Sequence, residues 1–257
     1  MGGGTRESTP ERLAAELRRR ILSGEIAPGL RLPPERTLAE EWDANRHTVR
    51  EALRLLEAQG LLETRQGSGA TVLDFRAKGR LELAPFYFEA IGLVPTLASE
   101  IDAFLRIRRA VMVEAAFVAA REGGEELRAR VTKVAEELLA ARGDTRRVVE
   151  LDFALYRTLM DATGRLLFRW VSNSFADRVQ PIIENFAFVW PRPDNYFDSL
   201  WRMASLVARG IPEEAREATR RHLEETDRQV MDAIHMFLGA GQRAREGGPR
   251  EGGPREG

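Results

Sequence analysis

Leu32-Pro33-Pro34-Glu35-Arg36-Thr37-Leu38-Ala39, followed by Asn45-Arg46-His47-Thr48-Val49-Arg50-Glu51-Ala52-Leu53, reads as two short helices joined by a tight turn. Pro34-Glu35 is a helix start, and Leu38, Ala39 and Trp42 share one face. Asp43-Ala44-Asn45 is the turn, and the next helix runs from Arg46 or His47 to Gln59 with Val49, Ala52, Leu53 and Leu56 inward. Gly60 follows as its terminator. This is the layout of a helix-turn-helix, whose second helix enters the major groove of DNA and reads bases with its first residues.

Upstream, Thr9 caps a helix opened by Pro10, with Leu13, Ala14, Leu17, Ile21 and Leu22 at helical spacing and Ser23-Gly24 as its stop. Ile26-Ala27-Pro28-Gly29-Leu30 is an extended segment and turn. Downstream, Leu61–Arg65 and Ala70–Leu73 are β-prone, and Gln66-Gly67-Ser68-Gly69 between them makes a hairpin, the wing of a winged helix-turn-helix. This domain covers residues 9–74, and 75–80 are expected as a charged linker.

From residue 81 to 239 the pattern is helical with short loops, which predicts an all-α bundle. Helices are expected over Ser99–Arg121, Glu125–Arg142, Thr145–Thr163, Leu166–Trp190 with a kink at Pro181, Asn195–Arg209 and Glu213–Leu238. Residues 240–257, with their Arg-Glu-Gly-Gly-Pro repeat, are expected to be disordered. The fold class is mainly α, with one small β-hairpin.

The chain has 257 residues, enough for two domains, and 43% hydrophobic residues supply a core for each. The absence of cysteine excludes disulfides, thiolate metal sites and cysteine nucleophiles. No apolar run is long enough to span a membrane, and a cytoplasmic location is expected. No catalytic constellation is read, so an enzyme is not expected. Net charge is −1, and residues 1–74 hold 11 arginines against 12 carboxylates. Nucleic-acid binding must therefore rest on where the charges sit.

Arg46 and Arg50, at i and i+4, share a face. Arginine pairs bidentately with guanine O6 and N7. Asn45 and His47 are placed to contact bases or phosphate, Thr48 to donate to phosphate, and Arg36 to approach the duplex. Gln66, Gly67 and Gly69 form a wing tip whose backbone can lie against phosphate or the minor groove. Two arginines beside Glu51 and Glu57 also describe a solvated helix face; the joint order of helices, turn and glycine-tipped hairpin decides for DNA.

Residues from about Arg12 to Val72 resemble the winged-helix domain of the GntR transcription regulators. The resemblance rests on Ile21-Leu22-Ser23-Gly24, Pro28-Gly29, Leu32-Pro33, Glu35-Arg36, Leu38-Ala39, Arg46, Thr48–Leu53, Leu56, Gly60-Leu61 and Gly67-Ser68-Gly69. It implies that Arg36, Arg46 and Arg50 contact operator DNA, that the wing tip touches the minor groove, and that the protein is a homodimer on a short pseudo-palindrome. Asn45-Arg46-His47 departs from the small hydroxyl residues that more often flank this arginine in the family.

The helical half is similar to the FadR-type effector domain of that family, many of whose members bind a divalent metal through one Asp and three His. Asp152 and His222 match two of those positions; Tyr156 and a residue near Leu200 stand at the others. No metal is therefore expected, and a hydrogen-bonded Asp152–His222 pair is. A metal-dependent carboxylate sensor and a bundle that only dimerises are the alternatives. Loss of the histidines resembles the acyl-CoA-binding branch of the subfamily. The expected effector is a small anionic or acyl molecule, in a pocket drawn from Arg108, Asp152, Tyr156, Asn185, Tyr196, Trp201 and His222. Phe186, Phe188, Trp190 and Phe197 are further aromatic candidates, and Arg106, Arg109 and Arg178 further cations.

Overall fold

The computed structural model describes residues 9–65, 69–92, 94–173 and 192–246, and these divide into two compact units at Gly92. In the first, α1 (Pro10–Leu22) starts at Thr9, whose hydroxyl accepts from the Arg12 amide at 3.3 Å. Its buried residues, Leu13, Ala14, Leu17, Arg18, Ile21 and Leu22, form the stripe that helical spacing dictates. The helix-turn-helix follows as α2 (Glu35–Glu41) and α3 (Arg46–Ala58). Asp43 makes the turn between them at φ 45°, a left-handed conformation that few residues other than glycine adopt. Leu38 and Ala39 of α2 and Val49, Ala52, Leu53 and Leu56 of α3 close over α1.

The wing is the antiparallel pair β1 (Leu62–Arg65) and β2 (Gly69–Val72), with Leu62 opposite Val72 and Arg65 opposite Gly69. A third segment extends it: Gly29 and Leu32 donate to the carbonyls of Val72 and Ala70, and Val72 donates back to Leu30. The Pro28-Gly29 turn thus feeds an edge of the wing before the chain enters α2.

Residues 75–80 differ from the expected linker. Phe75–Lys78 form a short helix (α4) capped by Asp74, a 3-10 turn covers Leu81–Leu83, and α5 spans Ala84–Ile91. Leu83, Phe86, Tyr87 and Ala90 pack into the same core as α1 and α3. Buried Arg18 fixes this seat: it donates to Gln59 at 3.0 Å and its guanidinium lies 3.8 Å from the centre of the Phe86 ring. The division therefore falls after Gly92 rather than after Arg80.

The second unit holds α6 (Pro95–Glu122), α7 (Glu125–Ala140), α8 (Thr145–Ala162), helical residues 166–173 (α9), α10 (Tyr196–Ala208) and α11 (Pro212–Glu246). α6 and α11 run antiparallel, since Glu114 pairs with Arg216 and Arg108 with Asp227. Ala115, Ala116, Ala119 and Ala120 let α6 approach Leu151, Leu155 and Leu159 of α8 and Leu200, Met203 and Val207 of α10. α11 continues through residues 240–246, which the sequence had placed in a disordered tail. The kink at Pro181 and the remaining tail lie outside the described residues.

Candidate nucleic-acid interface and bundle cluster

Asn45 is the N-cap of α3: its Oδ1 accepts from the Thr48 amide at 2.8 Å. That bond holds the first turn on which Arg46, His47 and Arg50 are all exposed. Thr48 is only 8% exposed as a residue. Its amide is the donor in the cap, and the Asn45 oxygen is engaged there.

The three expected DNA arginines differ in their company. Arg36 pairs with Glu40 of its own helix at 3.1 Å, in water. Arg46 makes no hydrogen bond or ion pair with a described residue. Arg50 reaches back to α2, where its Nε and Nη2 donate to the two carboxylate oxygens of Glu35 at 3.3 and 2.8 Å. This bonding holds the Glu35 carboxyl below its ordinary range. Sequence reasoning named Arg50 as a DNA contact but did not pair it with Glu35, because no pattern links positions so far apart.

The base of the wing is tied to α3. Glu57 accepts from both the amide (2.9 Å) and the hydroxyl (2.6 Å) of Thr64 in β1. Gly69 opens β2 at φ +79°, a conformation glycine adopts freely. Gln66 and Gly67 lie outside the described residues.

In the bundle, α8, α10, α11 and α6 bring together much of the expected effector site. Tyr196 donates its hydroxyl to Asp152 at 2.6 Å, and its ring centre lies 5.1 Å from that of His222. The Ser199 hydroxyl lies 3.0 Å from the Tyr196 carbonyl and 2.7 Å from His222 Nδ1, where the imidazole tautomer sets which group donates. His222 Nε2 is buried with no partner among the described residues. Asp152 and His222 thus bond to Tyr196 and Ser199, not to each other as expected. Ser199 was legible only as a residue one helical turn beyond Tyr196.

Burial sets the charges here. It raises the Asp152 carboxyl, against the Tyr196 hydrogen bond, raises the phenols of Tyr156 and Tyr196, and drives His222 down to about 3. Arg108 supplies positive charge beside Asp152, Tyr156 and His222. With Arg109 it binds the carboxylate of Asp227, and its own Nε is buried with no partner among the described residues. Arg106 instead pairs with Asp102 in water. Trp201 is 37% exposed on α10, so it leaves the list of pocket residues. Asn185, Phe186, Phe188, Trp190 and Arg178 lie outside the described residues.

Of the four positions at which the resemblance places metal ligands, two that should hold histidine do not. Leu200 is fully buried and has no donor atom, and the Tyr156 phenol is held in its protonated form. Asp152 and His222 remain, and the first already accepts a hydroxyl hydrogen. Among the described residues no group of three or more His, Asp or Glu is gathered as a metal cluster.

A capped recognition helix presenting arginines, a paired wing beside it, and an all-α second unit with a buried polar cluster define a two-domain DNA-binding transcription regulator. Residues 9–72 match the model of the "Bacterial regulatory proteins, gntR family", and residues 103–225 match that of the FCD domain. The chain is 30% identical over 238 residues to the HTH-type transcriptional regulator Mce2R of Mycobacterium tuberculosis, covering 90% of this chain and 95% of that protein. It is 25% identical over 208 residues to the HTH-type transcriptional regulator LutR of Bacillus subtilis, covering 79% and 92%. The solved structure of Lar, described as controlling the Listeria monocytogenes agr system, shares the fold at TM-score 0.55 and 17% identity, covering 88% of this chain and 98% of that one. The chain belongs to the GntR family of transcription regulators, which are not enzymes.

Proposed function

We propose that this regulator binds a short pseudo-palindromic operator as a homodimer and that a small anionic or acyl effector in the helical unit controls that binding. The capped start of α3, with Arg46, His47 and Arg50 exposed on one turn, carries the DNA reading. Arg46 and Arg50 read bases, while Arg36 and the wing engage the backbone. Arg46→Ala and Arg50→Ala each weaken operator binding by about 1–3 kcal/mol, one bidentate base contact. A gel-shift titration in which both variants match the parent removes α3 from the groove.

The effector reading is supported by two buried atoms with no partner among the described residues, His222 Nε2 and Arg108 Nε, in one cluster. A cation and an unsatisfied imidazole nitrogen, set beside Asp152 and Tyr156, suit an anionic head group with a polar substituent. Binding shifts the population between two arrangements of the DNA heads, and so changes operator affinity. No metal takes part in this reading. The test is a thermal-shift series with carboxylic acids and acyl-CoAs, in EDTA and again with Zn2+. Stabilisation in EDTA that Arg108→Gln abolishes supports the effector reading; the absence of any stabilising compound leaves the bundle a dimerisation unit. Stabilisation by Zn2+ alone, lost in His222→Gln, overturns the metal-free assignment.

A further inference from the structure

Glu35 stands apart from the other carboxylates of the DNA-binding unit. Glu40 and Glu51 pair with arginines of their own helices, Arg36 and Arg54, one turn away. Glu35, at the first position of α2, crosses to α3 and grips Arg50 through both carboxylate oxygens. The Glu35 carboxylate also lies within the electrostatic reach of Arg46 and Arg54. An acid placed among recognition-helix arginines, on a surface that must approach phosphate, opposes non-specific attraction to DNA. Its contribution to folding is small, because both side chains are substantially solvated, at 37% and 56% exposed.

The geometry of the grip matters. Glu35 takes the side edge of the guanidinium, Nε and Nη2. The end edge, made by Nη1 and the outer hydrogen of Nη2, is the pair of donors that suits guanine O6 and N7. Arg50 can therefore keep Glu35 and take a guanine at once. A guanidinium held in this way is biased toward one rotamer before binding, and it meets a well-placed guanine better than a phosphate at an arbitrary position.

We propose that Glu35 is a specificity-determining positioning residue: it fixes the end edge of Arg50 toward a guanine and repels phosphate where that base is absent. The proposal rests on the reading that α3 enters the major groove. Selectivity arises here partly from a repulsive element placed against the wrong partner.

The test uses the full-length protein, a duplex selected by the parent from a random pool, a scrambled duplex of equal length, and duplexes with single guanines replaced. Glu35→Gln is expected to lower the ratio of selected to scrambled affinity about tenfold, within the range of one base contact. Scrambled DNA should bind more tightly and the penalty for replacing one guanine should shrink, while the melting temperature is unchanged. In an Arg50→Ala background the same substitution should change that ratio much less, because only the repulsion of phosphate is then left to lose. Glu35→Ala carries the same expectations should the glutamine variant fold poorly. An unchanged ratio in Glu35→Gln, an equal loss on both duplexes, or an undiminished effect without Arg50 overturns the proposal while α3 keeps its place. If Arg50→Ala and Arg46→Ala both bind the selected duplex like the parent, the groove reading fails and the proposal with it.

Discussion

At His222, burial and the nearby Arg108 make protonation unfavourable in the folded protein, and the pKa falls from 6.5 to about 3. The unfolded chain therefore takes up a proton first as pH drops. Stability from this group is complete above pH 6.5 and is lost between 6.5 and 3, by up to about 1.4 kcal/mol per pH unit. Asp152 acts in the opposite sense: its folded pKa lies above 3.8, so its contribution is complete below 3.8 and is lost as pH rises from there through the raised folded value. Urea unfolding at pH 7, 6 and 5 should show a clear decline in the parent and a flatter profile in His222→Gln; identical profiles would place the imidazole in water. Tyr196→Phe removes the donor that satisfies a part-buried carboxyl group and should cost about 1–3 kcal/mol, read in the same experiment at pH 7. The sequence named Asp152, Tyr196 and His222 as neighbours, yet it misjudged their bonds. Hydrogen-bond partners follow from side-chain directions on three helices, which spacing along one helix does not fix. Trp201 illustrates the same limit: an aromatic residue beside buried Leu200 turns to solvent.

Among the elements, α1, α3 and the wing were legible because each carries its own signals, namely a cap, an apolar stripe, or glycine-bounded alternation. α5 was not. Ala84-Pro85-Phe86-Tyr87-Phe88 is apolar enough to suit either core, and hydrophobicity does not say which core it joins. What settles the matter is Arg18, a buried charge on α1 that needs both Gln59 and the Phe86 ring. The tie between α3 and the wing was likewise hidden, since Glu57 reads as an ordinary exposed acid. Glu57→Ala should cost about 0.5–1.5 kcal/mol. It should also speed hydrogen exchange at the Thr64 amide while leaving α1 amides unchanged. Equal protection at Thr64 in both proteins would show that β1 holds without this clamp.

For the molecule as a whole, the two compact units set what can be separated. A fragment ending at Gly92 retains Leu83, Phe86, Tyr87 and Ala90 and should melt cooperatively. One ending at Arg80 loses them, exposes the apolar flank of α1, and should melt at a lower temperature or aggregate. Circular dichroism melts of the two fragments make the comparison; equal midpoints would show that α5 adds nothing to the first core. The division bears on how such a regulator exchanges parts over evolutionary time. A recombination crossover at the end of the charged stretch would hand Phe86 to a foreign bundle and strand Arg18 without its ring. A crossover at Gly92 transfers a finished core, so viable chimeras should carry their seam there.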